Sequence, residues 1–274
     1  MPNDDSIDDE HDEGEPLAGG VANAGAVTRK GAYVFRPADA HTPTMHALFL
    51  HLRSHGFHSA PEPINITNGR EKLGYIEGVV PHFPYPPWCT TDDTLTTVAA
   101  ALRKYHNAAS TFAIPADAQF CLDLADPNGG TILCHNDVRP ENVVFRDGDV
   151  AGFLDFDFAA PGSILWDIAR SLIVWIPIDV PELAHSYHFG GLDPFKRLKL
   201  FCDTYELPLS QRALLVDTIE RCGIKCEAFV KSQVDAGKAA FVEMWNKHGI
   251  GEIYDRRRIW LATNRQALIT HISA

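Results

Sequence analysis

No run in this chain approaches the roughly 18 apolar residues of a membrane span. No Cys-x-x-Cys occurs, and the six cysteines (89, 121, 134, 202, 222 and 226) are scattered. That scatter speaks against a disulfide scaffold or zinc ribbon; Cys222 and Cys226 sit one helical turn apart without the His or Cys partners that zinc needs. Residues 1–16 lack Lys and Arg entirely while holding eight of the 36 acids. Such an opening is the opposite of a secretory leader, and the segment 1–18 reads as a disordered acidic tail. A formal charge of -12 disfavours nucleic-acid binding. Internal repeats are also missing. The expectation is a reduced, cytoplasmic protein that associates with neither membrane nor nucleic acid.

What is present is enough apolar content, 45%, to bury a substantial core in one large or two modest domains. Strands are predicted at 26–29 and 32–36 around a Lys30-Gly31 turn, then at 64–67 and 73–76. Between them lies a helix with Thr42 as cap, Pro43 in its first turn, Met45, Leu48, Phe49 and Leu52 on one face, and Gly56 closing it. Histidines 41, 46, 51, 55 and 58 crowd this helix, but His-Glu-x-x-His is missing, and they are expected at caps and on the surface. The proline-rich stretch 79–88 marks a change of regime. Its Phe83, Tyr85 and Trp88 either line a substrate mouth or pin a linker. From Asp92, Leu95, Val98, Ala99, Leu102, Tyr105 and Ala109 share a helical face. Beyond Ser163 nearly everything reads as helix. The architecture is α+β: a small β-rich lobe over 19–80 and a larger, mostly helical lobe over 81–274.

Polar residues gather at one place. In "CHNDVRPENVVF" (134–145) His135, Asp137 and Asn142 stand close together, and Asp155-Phe156-Asp157 follows in "FLDFDFAAPG". Asp147-Gly148 between two apolar runs is a two-residue hairpin signal. Pairing about that turn sets Asn142 opposite Phe153, with Asp155 two residues beyond, about 7 Å along the strand. Two oxygen donors then emerge at one end of a ribbon, with Asp137 on the loop that enters it. So sparse an oxygen set suits Mg²⁺, which completes its shell with water and phosphate.

"HNDVRPEN" resembles the H-R-D-x-x-x-x-N catalytic loop of protein kinases, and "DFD" stands where those have D-F-G. The text is more similar still to the aminoglycoside phosphotransferase and choline kinase families, with Trp166-Asp167 opening the helix that follows. The resemblance implies a two-lobed protein-kinase-like fold and transfer of the γ-phosphate of ATP or GTP, with Mg²⁺, to a hydroxyl of a small molecule. It implies Asp137 as the base that orients the hydroxyl, Asn142 and Asp155 as metal ligands, His135 as a brace of the loop, and Arg139 against the transferred phosphate. Asp167 would cap its helix and hold the catalytic loop. Gly20 and Gly25 would bracket a nucleotide-covering loop, and Tyr75, Ile76 and Glu77 would contact the base. Arg36 replaces the usual strand lysine, and the following helix offers His46 and His51 but no acid, so Asp39 or another acid would have to restrain it. Two alternatives are a kinase-like binding protein without catalysis, and a haloacid-dehalogenase-like phosphatase with Asp155 as nucleophile.

Overall fold

The computed structural model describes residues 14–17, 26–176, 178 and 190–274. Gly20, Gly25 and most of the acidic head lie outside these.

Strands β1 (Glu15–Pro16), β2 (Thr28–Lys30), β3 (Tyr33–Pro37), β4 (Pro63–Thr67) and β5 (Arg70–Gly74) form one five-stranded sheet in the order β1-β2-β3-β5-β4. Gly31, with φ 59°, turns β2 into β3, and Asn68-Gly69, both at positive φ, turns β4 into β5. Helix α1 (Thr42–Ser54) lies between β3 and β4 and buries Met45, Leu48, Phe49 and Leu52. Thr42 is not its cap. Asp39 accepts from the backbone N–H of His41 (3.1 Å) and Thr42 (3.2 Å) and from the Thr42 hydroxyl (3.0 Å), so one carboxylate satisfies the helix start.

The linker after β5 is zipped onto the hairpin that carries Phe145. Val79 and Phe145 exchange two backbone hydrogen bonds of 2.8 Å. Gly78, at φ 151°, lets the chain pass so close that an added Cβ would lie 2.5 Å from the Phe145 carbonyl oxygen. The buried Tyr85 hydroxyl donates to Glu141 (2.9 Å), and Trp88 meets Phe145 edge-on, ring centroids 5.2 Å apart. These two aromatics pin the linker, while Phe83 stays 54% exposed.

Helix α2 (Asp92–Ala109) is capped by Thr91. Strand β6 (Ile132–Cys134) leads into the loop of residues 135–142, β7 (Val143–Arg146) and β8 (Asp149–Phe153) make the hairpin, and β9 (Ala160–Gly162) returns to pair with β6. Every described strand pairing is antiparallel, which leaves no parallel sheet for a dehalogenase-like Asp155. The rest is helical: α3 (Ile164–Trp175), α4 (Pro194–Tyr205), α5 (Leu209–Asp235), α6 (Ala239–His248) and α7 (Ile250–Ile272). The core runs from α1 and α2 through the hairpin to α3, α4 and α5, with Trp166 and Trp175 among its largest buried side chains. Among the described residues no helix is long and apolar enough to cross a membrane.

Candidate active site

Hairpin register sets the geometry. Arg146↔Asp149 and Phe145↔Val150 follow the Asp147-Gly148 turn, but Val144 pairs with Gly152 and Val143 with Phe153. One extra residue, Ala151, sits in β8 as a bulge. Asn142 therefore faces Leu154 rather than Phe153, and the Leu154 N–H donates to the Asn142 carbonyl at 2.8 Å. Asp155 comes one residue after that pair, in the left-handed region at φ 59°, and is turned out of the strand line.

The loop of residues 135–142 is held from α3. Asp167, wholly buried, accepts from the backbone N–H groups of His135 (2.8 Å) and Asn136 (2.8 Å), and His106 of α2 braces it at 3.0 Å. It does not cap α3: Ser163 does, accepting from the Trp166 N–H at 3.3 Å. Burial would raise the Asp167 carboxyl, but His106 and the loop donors outweigh it and keep its pKa low. One turn on, Arg170 donates Nε to the Asn136 carbonyl (2.9 Å) and sets Nη2 3.5 Å from Asp137 Oδ1. Its Nη1 meets Cys226 of α5. Trp175 Nε1 donates to the Val138 carbonyl at 2.8 Å. Asp167, Arg170 and, two turns beyond Asp167, Trp175 all reach this loop, so α3 fixes the backbone on both sides of Asp137.

Asp137 also accepts from Asn142 Nδ2 at 2.8 Å, and the same amide donates to the Asp137 carbonyl at 2.9 Å. That use of the amide nitrogen leaves the Asn142 side-chain oxygen for another partner. His135 is fully buried and touches backbone: Nδ1 accepts from the Asp137 N–H (3.2 Å) and Nε2 donates to the Leu154 carbonyl (2.9 Å). Burial lowers its pKa, and the neutral ring is a strut.

Arg139 is clasped by Glu141, Nε to Oε2 at 2.9 Å and Nη2 to Oε1 at 3.2 Å, with Tyr85 on the same carboxylate. Its side chain is 44% exposed.

Arg36 has partners that sequence reasoning missed. Its Nε pairs with Glu71, directly opposite on β5, and its Nη1 lies 2.7 Å from Asp157 and 4.0 Å from Asp155. Burial alone would lower the pKa of Arg36, but Asp157 and Glu71 outweigh it and raise it. Asp39, the expected partner, is spent on α1 and on His41 Nδ1 (2.8 Å). His41 and His46 are not surface groups: His41 is 8% exposed and His46 Nε2 is bonded to Glu71 at 2.9 Å. His51 and His55 stack on each other near the surface end of α1.

Asp155, Asp157 and Asp137 crowd one end of the hairpin. Burial and the neighbouring Asp157 carboxylate push the Asp155 pKa up to about 7, with Arg36 opposing and Asp137 adding to the rise. A cation at Asp155 would relieve this crowding. Asp155 and the Asn142 oxygen are hard donors of the kind Mg²⁺ takes. Among the described residues no group of three or more His, Cys, Asp or Glu could hold a metal by itself, so such an ion would need oxygens from water or phosphate as well.

Among the residues expected to contact the base, the Tyr75 N–H is committed to the Ala32 carbonyl (2.8 Å), Ile76 packs against Gly152, and Glu77 pairs with Arg29 (2.7 Å), whose guanidinium lies 3.6 Å over the Tyr75 ring.

The family model described as "Phosphotransferase enzyme family" matches residues 86–201. That segment holds the 135–142 loop, the hairpin and α3. The match covers less than half of the chain, and over that segment the chain is similar to this family. A trifolitoxin immunity protein from Rhizobium leguminosarum bv. trifolii is 28% identical over 204 residues, covering 70% of this chain and 75% of that relative. The GDP and kanamycin complex of APH(2")-IIia superposes with a TM-score of 0.58 at 15% identity, over 92% of this chain and 95% of that one. A choline/ethanolamine kinase family protein from Mesorhizobium loti gives 0.54 at 15% identity, over 94% and 90%. At such identities the superpositions speak to the fold, which is two-lobed and protein-kinase-like.

Proposed function

We propose that the protein is a small-molecule kinase that transfers the γ-phosphate of ATP or GTP to an acceptor hydroxyl with the help of Mg²⁺. The single observation that carries this reading is the Asp137–Asn142 pair, held by α3 on both sides of Asp137 and set near Asp155 and Arg36. Phosphoryl transfer asks for positioning and charge compensation more than for covalent chemistry, and that is what these residues offer.

Asp137 would accept the acceptor's proton, and Arg170 keeps its carboxylate aimed. Asn142 and Asp155 would hold the metal, which when bound draws negative charge off the phosphates. Arg36 would grip the nonbridging oxygens of the nucleotide, since a guanidinium forks onto phosphate. Arg139, half-exposed at the loop's edge, would lend charge to the transferred group. Because the backbone of Tyr75 and Val79 is already paired, base recognition falls to the chain between them. The acceptor is a hydroxyl compound of unspecified class, and the named substrates of the structural neighbours are no guide to it.

Asp137→Asn keeps the hydrogen bond to Asn142 through its remaining carbonyl oxygen but removes the base. Turnover with any acceptor found by screening falls by about a thousandfold or more, while calorimetric affinity for the Mg-nucleotide stays within about twofold of wild type. Wild-type turnover in this variant would remove Asp137 from its role. A wild-type protein that binds nucleotide yet transfers phosphate to no acceptor, and does not hydrolyse it either, would favour the binding-only reading.

A further inference from the structure

We propose that Glu71, on strand β5, is the positioning residue that sets Arg36 for nucleotide phosphate, so that the phosphate-binding cation is fixed by strand pairing within the sheet and not by the placement of helix α1. This rests on the proposed role of Arg36 and deepens it. Three observations carry it. Glu71 is 0% exposed, and a buried carboxylate is tolerable only when paired. Its two oxygens are divided between two side chains, Oε1 with Arg36 Nε and Oε2 with His46 Nε2 at 2.9 Å. Arg36 and Glu71 are also direct cross-strand partners, flanked by the pairs Phe35↔Lys72 and Pro37↔Arg70.

Directly opposed residues on antiparallel strands hold their Cβ atoms about 5 Å apart. The backbone ladder therefore fixes this ion pair on both sides, whatever α1 does. The helix contributes a histidine to the far oxygen instead of the acid that grips the cation. Arg36 Nη1, turned to Asp157 at 2.7 Å, is the end that points toward the catalytic hairpin. With Nε held by Glu71, that end presents itself at one place. A helix shift would disturb His46 first and Arg36 last, so this site is assembled constitutively.

The test uses the full chain. Nitrogen-15 spectra would follow the Arg36 Nε–H in wild type, Glu71→Gln, Glu71→Asp and His46→Gln, with Arg36→Ala identifying the signal. Calorimetry would give the affinity of each for Mg-ATP and Mg-GTP, and melting curves would check folding. The expected result is a slowly exchanging Nε–H that Glu71→Gln exposes and Glu71→Asp partly retains. Nucleotide affinity falls about tenfold or more in Glu71→Gln and by less in His46→Gln. The double variant Arg36→Ala/Glu71→Gln binds no more weakly than Arg36→Ala alone, a non-additivity that general destabilisation would not produce. A folded Glu71→Gln or Glu71→Asp protein with an unchanged Nε–H and wild-type affinity would overturn the proposal. A wild-type protein that binds neither nucleotide would instead overturn the reading of the site as nucleotide-binding; the Nε–H spectra tell the two failures apart.

Discussion

At the level of single residues, the site is a set of buried charges and rings whose protonation is decided by what surrounds them. His135 is kept neutral by burial, against the pull of Asp167 and Asp137. An imidazole with a lower pKa in the folded chain than in the unfolded one stabilises the fold above its unfolded value of about 6.5, and that contribution is lost as pH falls through the lower folded value, because the unfolded chain takes the proton first. Wild-type stability should therefore fall toward acid more steeply than that of His135→Asn, by up to about 1.4 kcal/mol per pH unit below about pH 6.5. Urea unfolding of both proteins at about pH 7.5, 6.5 and 5.5 measures the difference; parallel curves would mean that burial leaves the His135 pKa where the unfolded chain has it. That Asp137, Asn142 and Asp155 gather at one place was legible from spacing, since they lie on one continuous loop and hairpin. Glu71 was not, because it meets Arg36 across 35 residues of chain and only strand pairing brings them together. Asp157 was read as a departure from glycine, and its use as a second anchor for Arg36 shows only in three dimensions.

At the level of elements, local signals worked where they were strong. The Asp147-Gly148 turn, the apolar face of α2 and the proline break before it all sit where the sequence puts them. The register near the open end of the hairpin is one residue off the simple expectation because Ala151 bulges; Gly152 beside it is the one sequence signal, since a glycine inside a strand marks a bulge or a close approach. The start of α1 was misread for a related reason: Asp39 lies outside the helix and caps from there, so Thr42 looked like the natural candidate. The linker is the element on which the two halves meet. Gly78→Ala would force a Cβ against the Phe145 carbonyl at a φ that L residues avoid. A loss of about 1–3 kcal/mol is expected, read as a lowered melting temperature, together with a weaker nucleotide affinity because residues 76–78 shift. A wild-type melting curve for this variant would show that the bridge between Val79 and Phe145 can relax freely.

At the level of the whole molecule, a five-stranded sheet carries the cation that would meet the phosphates, and a helical body carries the loop that would meet the acceptor. Helix α3 sets the loop from below through Asp167, Arg170 and Trp175, while β5 sets Arg36 from above through Glu71. Asp155, turned out of β8 beneath Arg36, belongs to both. The account stands or falls on whether a metal-bound nucleotide occupies the space between them. The most direct measurement is calorimetric binding of ATP and of GTP, each with and without Mg²⁺, to wild type and to Asp155→Ala. The account predicts binding that requires Mg²⁺ and weakens by about a hundredfold or more when the Asp155 carboxylate is removed. Binding that is indifferent to both metal and Asp155, or no binding of either nucleotide at about millimolar concentration, would contradict it.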